Sequence, residues 1–168
     1  MSGEMLQREK DDLEHRYCFT DDAVFVGLDY GTSKIGVAIG QLLTGTASVQ
    51  APIPNQRLNV KWSCFERLYA EWYPQAWVVG VPLQLDGSRS TVTRLARRFI
   101  ELLRQRFKVP VYDADEQLTT QEAKRRIYGN FGGRGFRTCS VDSVAAKLIL
   151  EAWMQRVLYE RNADYSAD

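Results

Sequence analysis

The chain has 168 residues, a formal net charge of +1, one histidine and three cysteines. The single histidine, His15, lies in a polar N-terminal stretch outside the expected folded part, which argues against histidine-based nucleophilic catalysis. The scattered cysteines argue against a zinc cluster and a disulfide framework. If the protein is an enzyme, carboxylates, hydroxyls, lysines or a metal ion held by oxygen ligands must perform its chemistry.

The charge is unevenly distributed along the chain. Residues 1–22 hold seven acidic and three basic residues, which leaves 19 basic and 14 acidic residues, a net charge of +5, in the remainder. We predict a polar extension over residues 1–22, disordered or briefly helical, one domain over residues 23–161 and a tail over residues 162–168. The absence of a signal-peptide pattern and of a long apolar run predicts a soluble, cytoplasmic protein with no membrane partner.

Short apolar runs predict five strands. Residues 29–33 have the composition of a turn, which would join the first two strands into a hairpin. Pro52 and Pro54 are expected to close the third strand. The five predicted strands cover residues 23–28, 35–39, 46–53, 77–81 and 109–112.

Apolar residues at three- and four-residue spacing predict four helices, at about residues 62–72, 88–107 and 119–128 and from residue 140 onward. Asn59 is a candidate N-cap of the first helix, which should end before Pro74. The order β-β-β-α-β-α-β-α-α predicts an α/β fold with one mixed five-stranded sheet and helices on both faces. The early strands should be antiparallel, and the later strands parallel and central.

Acidic residues stand beside three of the predicted core elements. Asp29 follows the first strand, Asp113, Asp115 and Glu116 follow the fifth, and Asp142 lies in the first turn of the last helix. Singly, these positions suit a turn, a solvated loop and a helix dipole. Together they suit a binding site for Mg²⁺ or Mn²⁺. These ions prefer oxygen ligands and can catalyse phosphodiester hydrolysis without histidine or cysteine.

Four motifs occur in series over residues 23–155. They read VGLDYGTSKIGVA (residues 26–38), VVGVPLQLDGS (78–88), DEQLTTQEA (115–123) and VDSVAAKLIL (141–150). The series resembles the motifs of the YqgF family, bacterial proteins similar to Holliday-junction resolvases with an RNase H-like fold.

The resemblance implies an RNase H-like, metal-dependent nuclease that uses Mg²⁺ or Mn²⁺. It implies that Asp29, Glu116 and Asp142 are the catalytic and metal-binding residues. The implied role is maturation of the 5′ end of the small-subunit (pre-16S) ribosomal RNA precursor, with pre-ribosomal particles as further partners. Cleavage of DNA Holliday junctions is the alternative activity.

Two positions depart from the family pattern. Gln117 stands where the family usually has arginine, and Gln84 stands where it usually has asparagine. An arginine could bind phosphate through two parallel hydrogen bonds, whereas glutamine offers only neutral ones. The departure at Gln117 therefore predicts weaker phosphate binding and leaves room for a non-catalytic nucleic-acid-binding module.

Two basic stretches lie near the candidate acids. Residues 89–108 carry seven basic residues against Glu101, and residues 124–137 carry five and no acid. Such stretches bind phosphate or form solvated surfaces, and the glycine-rich residues 129–137 could close over a backbone or link two helices. The residues that we expect to contact nucleic acid, RNA rather than DNA, are Lys34, Arg94, Arg97, Arg98, Lys124, Arg125, Arg134 and Arg137.

Two further interpretations concern nucleotides and bases. Asp29-x-Gly31-Thr32 also resembles the first phosphate loop of actin-like and sugar-kinase folds, but those folds need two such domains around a cleft. Tyr30 is a candidate for stacking on a base, and Trp77 is expected in the core.

Overall fold

The computed structural model describes residues 18–81, 90–115 and 141–165. These segments contain six strands and three helices. In chain order they are β1 (Val24–Tyr30), β2 (Lys34–Gln41), β3 (Thr46–Gln56), β4 (Asn59–Val60), α1 (Trp62–Trp72), β5 (Ala76–Val81), α2 (Thr91–Arg106), β6 (Val111–Asp115) and α3 (Val141–Tyr165).

The strands form one mixed sheet in the order β4-β3-β2-β1-β5-β6. β1 pairs antiparallel with β2 and parallel with β5, β2 pairs antiparallel with β3, and β5 pairs parallel with β6. This confirms the predicted α/β class and the antiparallel-then-parallel order. The predicted count of five strands is wrong, because the sheet also contains β4, which is only two residues long. Of the later strands, β5 is interior, whereas β6 lies at the edge of the described sheet.

Four strands extend past their predicted ends. β2, predicted over residues 35–39, continues to Gln41. β1 continues through Asp29 and Tyr30, because Asp29 pairs with both Gly36 and Gly80, and backbone pairing on two sides outweighs the turn preference of aspartate. β3 continues past its two prolines to Gln56, and β6 extends to Asp115. Proline has no N–H group to donate to a neighbouring strand. Both prolines are tolerated because β4 pairs only with the last two residues of β3, so most of this edge of β3 needs no N–H donors.

The helix ends have local causes. α1 is preceded by Lys61 without a side-chain cap, and the predicted cap Asn59 belongs to β4 instead. Tyr73, in a left-handed conformation, ends α1 before Pro74 as predicted. At the start of α2 the Ser90 hydroxyl accepts a hydrogen bond of 3.1 Å from the amide of Thr93, which is a standard N-cap.

The sheet separates two apolar clusters. On the side that we call the α1/α2 face, Phe65, Phe99 and Leu103 pack against Trp77, whose burial confirms its predicted place in the core. On the opposite side, the α3 face, residues such as Leu150 and Trp153 cover the sheet. Helices on both faces were therefore predicted correctly.

The start of the described chain also packs on the α3 face. The ring of Phe19 lies 4.9 Å from that of Phe25 and 6.1 Å from those of Tyr112 and Trp153, measured between centroids. The division into residues 1–22, 23–161 and 162–168 stays a prediction. The predicted helix over residues 119–128 and the glycine-rich residues 129–137 lie outside the described residues.

Candidate functional site

The carboxyl ends of the parallel strands place Asp29 between two glycines. Asp29 pairs with Gly36 of β2 on one side and with Gly80 of β5 on the other, and Gly80 pairs with Ala114 of β6. Side chains alternate along a strand, and Phe25 of β1 belongs to the cluster on the α3 face, so Asp29 lies on that face too. The partly buried carboxylate of Asp29 therefore has neighbouring strand positions without side chains on both sides.

Asp142 reaches the same place from α3. A Cβ atom added to Gly36 would collide with the backbone carbonyl of Asp142, so the first turn of α3 lies directly on this glycine. Since Gly36 is the strand partner of Asp29, the backbones of both aspartates border one residue. Asp142 is also in the first helical turn, where the helix dipole favours a negative charge.

A buried hydrogen bond fixes this end of α3 to the sheet. The amide of Val37 donates to the hydroxyl of Ser143 over 3.2 Å, and Ser143 is fully buried. The pairing of β2 with β3 is irregular between Ile35 and Val37, as in a β-bulge. Bulges interrupt the strand ladder and are frequent beside active sites. This hydrogen bond therefore anchors Ser143, the neighbour of Asp142, to β2.

The third predicted acid, Glu116, lies outside the described residues. β6, which precedes it, ends at Asp115. Asp115 pairs with Val81, which is one position further along β5 than Gly80, the strand partner of Asp29. Among residues 18–81, 90–115 and 141–165, no group of three histidine, cysteine, aspartate or glutamate side chains is placed to hold a metal ion.

The other acidic residue near β6 belongs to the opposite face. Asp113 forms an ion pair of 3.7 Å with Arg97 of α2. It is therefore on the α1/α2 face, away from Asp29 and Asp142.

The predicted nucleic-acid contacts divide between the two faces. Lys34 is exposed at the start of β2, two positions before Gly36, so it shares the α3 face with Asp29. Arg94, Arg97 and Arg98 are exposed on α2, which packs on the α1/α2 face. The predicted contacts Lys124, Arg125, Arg134 and Arg137 lie outside the described residues.

A shallow groove lies beside α2 on the α1/α2 face. Arg97 contacts Asp113, whereas Arg104 donates to the carbonyl of Val111 near the start of β6. α2 therefore runs antiparallel to β6, and Arg94 lies nearest the edge that bears Asp29. The residues lining the groove are Arg97, Arg98, Ile100, Glu101, Arg104 and Asp113.

Tyr30, considered for base stacking, points into the core. It is 3% exposed on the α1/α2 face, where its ring lies 5.3 Å from that of Phe99 and its hydroxyl donates to the carbonyl of Arg57 at 2.7 Å. Burial raises the pKa of the Tyr30 hydroxyl, and a hydrogen bond with the Asn55 side chain lowers it in part.

Sequence reasoning missed the structural roles of Gly36, Gly80 and Ser143. A glycine inside an apolar strand indicates a close approach of another backbone or side chain, and both strand glycines meet α3 in this way. That signal was present in the first two motifs. No comparable signal marks Ser143, because its partner is 106 residues away in the chain.

The chain matches the family model described as "RuvX: Holliday junction resolvase" over residues 23–156. A protein from Pseudomonas putida is 42% identical over 136 residues, which cover 80% of this chain and 96% of the relative. One from Aeromonas hydrophila is 45% identical over 130 residues, which cover 77% and 93%. Both are named as candidate pre-16S rRNA nucleases.

Solved structures support the fold. RuvC from Thermus thermophilus, in complex with a Holliday junction substrate, gives a TM-score of 0.51 at 15% identity over 81% of this chain and 96% of that one. The yeast mitochondrial Holliday junction resolvase Ydc2 gives 0.50 at 12% identity, over 95% and 91%. These neighbours confirm the predicted RNase H-like fold. With its family match and relatives above 40% identity, the chain belongs to the RuvX family, which confirms the resemblance to YqgF proteins.

Proposed function

We propose that the protein is a metal-dependent nuclease that processes the 5′ end of the pre-16S ribosomal RNA precursor. The observation that carries the proposal is that Asp29 and Asp142 both border Gly36 on one face of the sheet. The names of the relatives support the reaction and the substrate.

The two aspartates suit a divalent cation. The backbones of both residues border Gly36, so their side chains come from two different elements that meet at one place. The flanking glycines leave the neighbouring strand positions without side chains, which keeps room beside Asp29. Carboxylate oxygens are the ligands that Mg²⁺ and Mn²⁺ prefer.

Asp29, Asp142 and Glu116 would hold the cation, which supplies an activated water and stabilises the leaving oxygen of the phosphodiester. Glu116 is included because it directly follows Asp115, the last residue of β6, in the sequence. β6 ends at the same edge of the sheet as β1 and β5. Gln117, next to Glu116, adds no charge for phosphate.

The test is cleavage of a 5′-labelled pre-16S RNA fragment in Mg²⁺ or Mn²⁺. Asp29→Asn and Asp142→Asn should each lower the rate at least about a hundredfold, as loss of a group that stabilises transition-state charge does. Binding of the RNA should persist or tighten, since each change removes negative charge that faces phosphate. Asp113→Asn is the matched control, because it removes an aspartate from the opposite face.

The outcomes separate the alternatives. If wild type binds the RNA but cleaves neither RNA nor a DNA four-way junction, the protein is a binding module and the proposal fails. It also fails if Asp113→Asn loses as much activity as the other two variants.

A second candidate activity is resolution of DNA Holliday junctions. The description of the matching family model favours it. Both activities would use the same acids, so a four-way DNA junction and the RNA fragment should be compared at equal concentration with the same three variants. Faster cleavage of the junction by wild type would replace RNA processing with junction resolution.

A further inference from the structure

The turn between β1 and β2 is fixed to the end of β3 by its own carbonyl groups. The side-chain amide of Asn55 donates to the carbonyl of Gly31 over 2.8 Å, and its backbone amide donates to that of Ser33 over 2.9 Å. The amide of Arg57 donates to the carbonyl of Thr32 over 2.8 Å. Three successive carbonyls therefore face β3.

The N–H groups of the same peptides must face the other way. In a trans peptide the C=O and N–H bonds point in opposite directions, and the structure contains no cis peptide in its described residues. The amides of Thr32, Ser33 and Lys34 follow these three carbonyls, so they point away from β3. Within the described part of the chain, neither the Thr32 nor the Ser33 amide donates to a protein acceptor.

The side chains of the turn add donors on its open side. Thr32, Ser33 and Lys34 are all exposed, and they offer two hydroxyls and one ammonium group. Successive backbone amides with a nearby positive charge form a concave site for a phosphate oxygen. The turn begins two residues after Asp29, at the same end of β1.

Asn55 holds the turn in this arrangement through its hydrogen bonds. It is 3% exposed, and its side-chain oxygen is a buried acceptor with no hydrogen-bond partner among the described residues. Retaining such a group costs free energy, because a buried polar atom is left unsatisfied. The side-chain NH₂ group and the backbone N–H of Asn55 each donate to one carbonyl of the turn, and these two hydrogen bonds fix the turn.

We propose that residues 31–34 form a preorganised subsite for a phosphate of the nucleic-acid backbone next to the cleaved bond, and that Asn55 is its positioning residue. The position next to a cleaved bond rests on the proposed nuclease function, whereas the phosphate contact itself does not depend on cleavage. The Thr32 and Ser33 amides and the Lys34 ammonium are the groups that bind the phosphate.

The first experiment follows the amides directly. The ¹⁵N-labelled full chain is titrated, in buffer with EDTA, with a single-stranded RNA oligonucleotide and separately with inorganic phosphate. The RNA should shift the Thr32 and Ser33 amide signals more than that of Ser48, an exposed residue on β3. RNA binding without these shifts overturns the subsite, and shifts with inorganic phosphate alone assign it to a free ligand instead.

The second experiment measures RNA affinity against salt concentration. Lys34→Gln should weaken binding about tenfold and lower the log–log salt slope by about 0.7, the value for one phosphate contact on a single strand. Lys108→Gln is the control, because Lys108 is exposed and precedes β6 at the other end of the sheet. Equal effects of the two variants overturn the proposal.

The third experiment tests Asn55 as a positioning residue. Asn55→Ala should also reduce the salt slope, which a purely structural loss of folded protein would not do. Combined with Lys34→Gln, it should weaken binding by less than the product of the two single effects, because both act on one contact. Independent effects overturn the role of Asn55. If wild type binds as expected but cleaves nothing, the nuclease proposal fails while the subsite stands.

Discussion

Gly36 lies directly against the carbonyl of Asp142, so one strand residue supports the first turn of α3. The same glycine is the strand partner of Asp29. The absence of a side chain at Gly36 is therefore what allows the two aspartates to approach from different elements. This relationship makes the site sensitive to residues that perform no chemistry themselves.

Gly36→Ala should damage both stability and activity. The new methyl group would meet backbone, which can move only if α3 moves, and overpacking of this kind costs about 1–3 kcal/mol. Gly40→Ala is the control, because its methyl group would meet the flexible end of Met154 at 2.7 Å on the same strand and face. Urea unfolding and RNA cleavage measured on both variants check the prediction. Equal losses in the two would contradict it.

Ser143→Ala should lower the free energy of unfolding by about 1–3 kcal/mol, since it leaves the buried Val37 amide without its acceptor. Because Ser143 also fixes the start of α3, the variant should need more Mg²⁺ for half-maximal cleavage. Ser63→Ala removes an exposed hydroxyl from α1 and serves as the control. A stable Ser143→Ala protein with unchanged metal dependence would show that the bond does not hold the site.

Tyr30→Phe should change how stability depends on pH. Burial raises the pKa of this hydroxyl above its usual value of 10.0, so the folded protein retains a proton that the unfolded chain loses. The stabilisation is complete below pH 10 and is lost as the pH rises through the raised pKa. Urea unfolding between pH 9 and 11 should show a smaller decrease for Tyr30→Phe than for wild type. Tyr159→Phe, at a side chain that is 77% exposed, should follow wild type.

The double variant of Arg97→Gln and Arg98→Gln should weaken RNA binding without lowering the cleavage rate at saturating RNA. Both residues are exposed on the α1/α2 face, opposite the aspartates, so they can contribute to binding but not to the chemical step. Arg67→Gln, at an exposed arginine of α1, is the control. A loss of rate at saturation would place these arginines close to the cleaved bond.

The sequence could nominate candidate acids but not the contacts that bring them together. Asp29 and Asp142 were recognisable because each follows or begins an apolar element, which is local information. Their meeting at Gly36 depends on contacts between β2 and α3, and one of these joins residues 106 positions apart. A single sequence with periodic patterns carries no record of such pairs.

The errors in the fold have a similar origin. β4 is too short to show an alternating pattern, and its first residue, Asn59, was interpreted as a helix N-cap. Residues 29–33 were predicted as a turn, which is wrong for Asp29, because strand pairing on both sides places it within β1.

The dependence of the site on α3 also has a consequence for biosynthesis. Ribosomes release β1 and β2 long before α3, at about 5–20 residues per second, and α3 is the last element in the described chain. Until this helix docks, Asp29 has no Asp142 beside it. Asp142 is 113 positions after Asp29 in the chain, so the two residues proposed to hold the cation come together only once α3 has been synthesised.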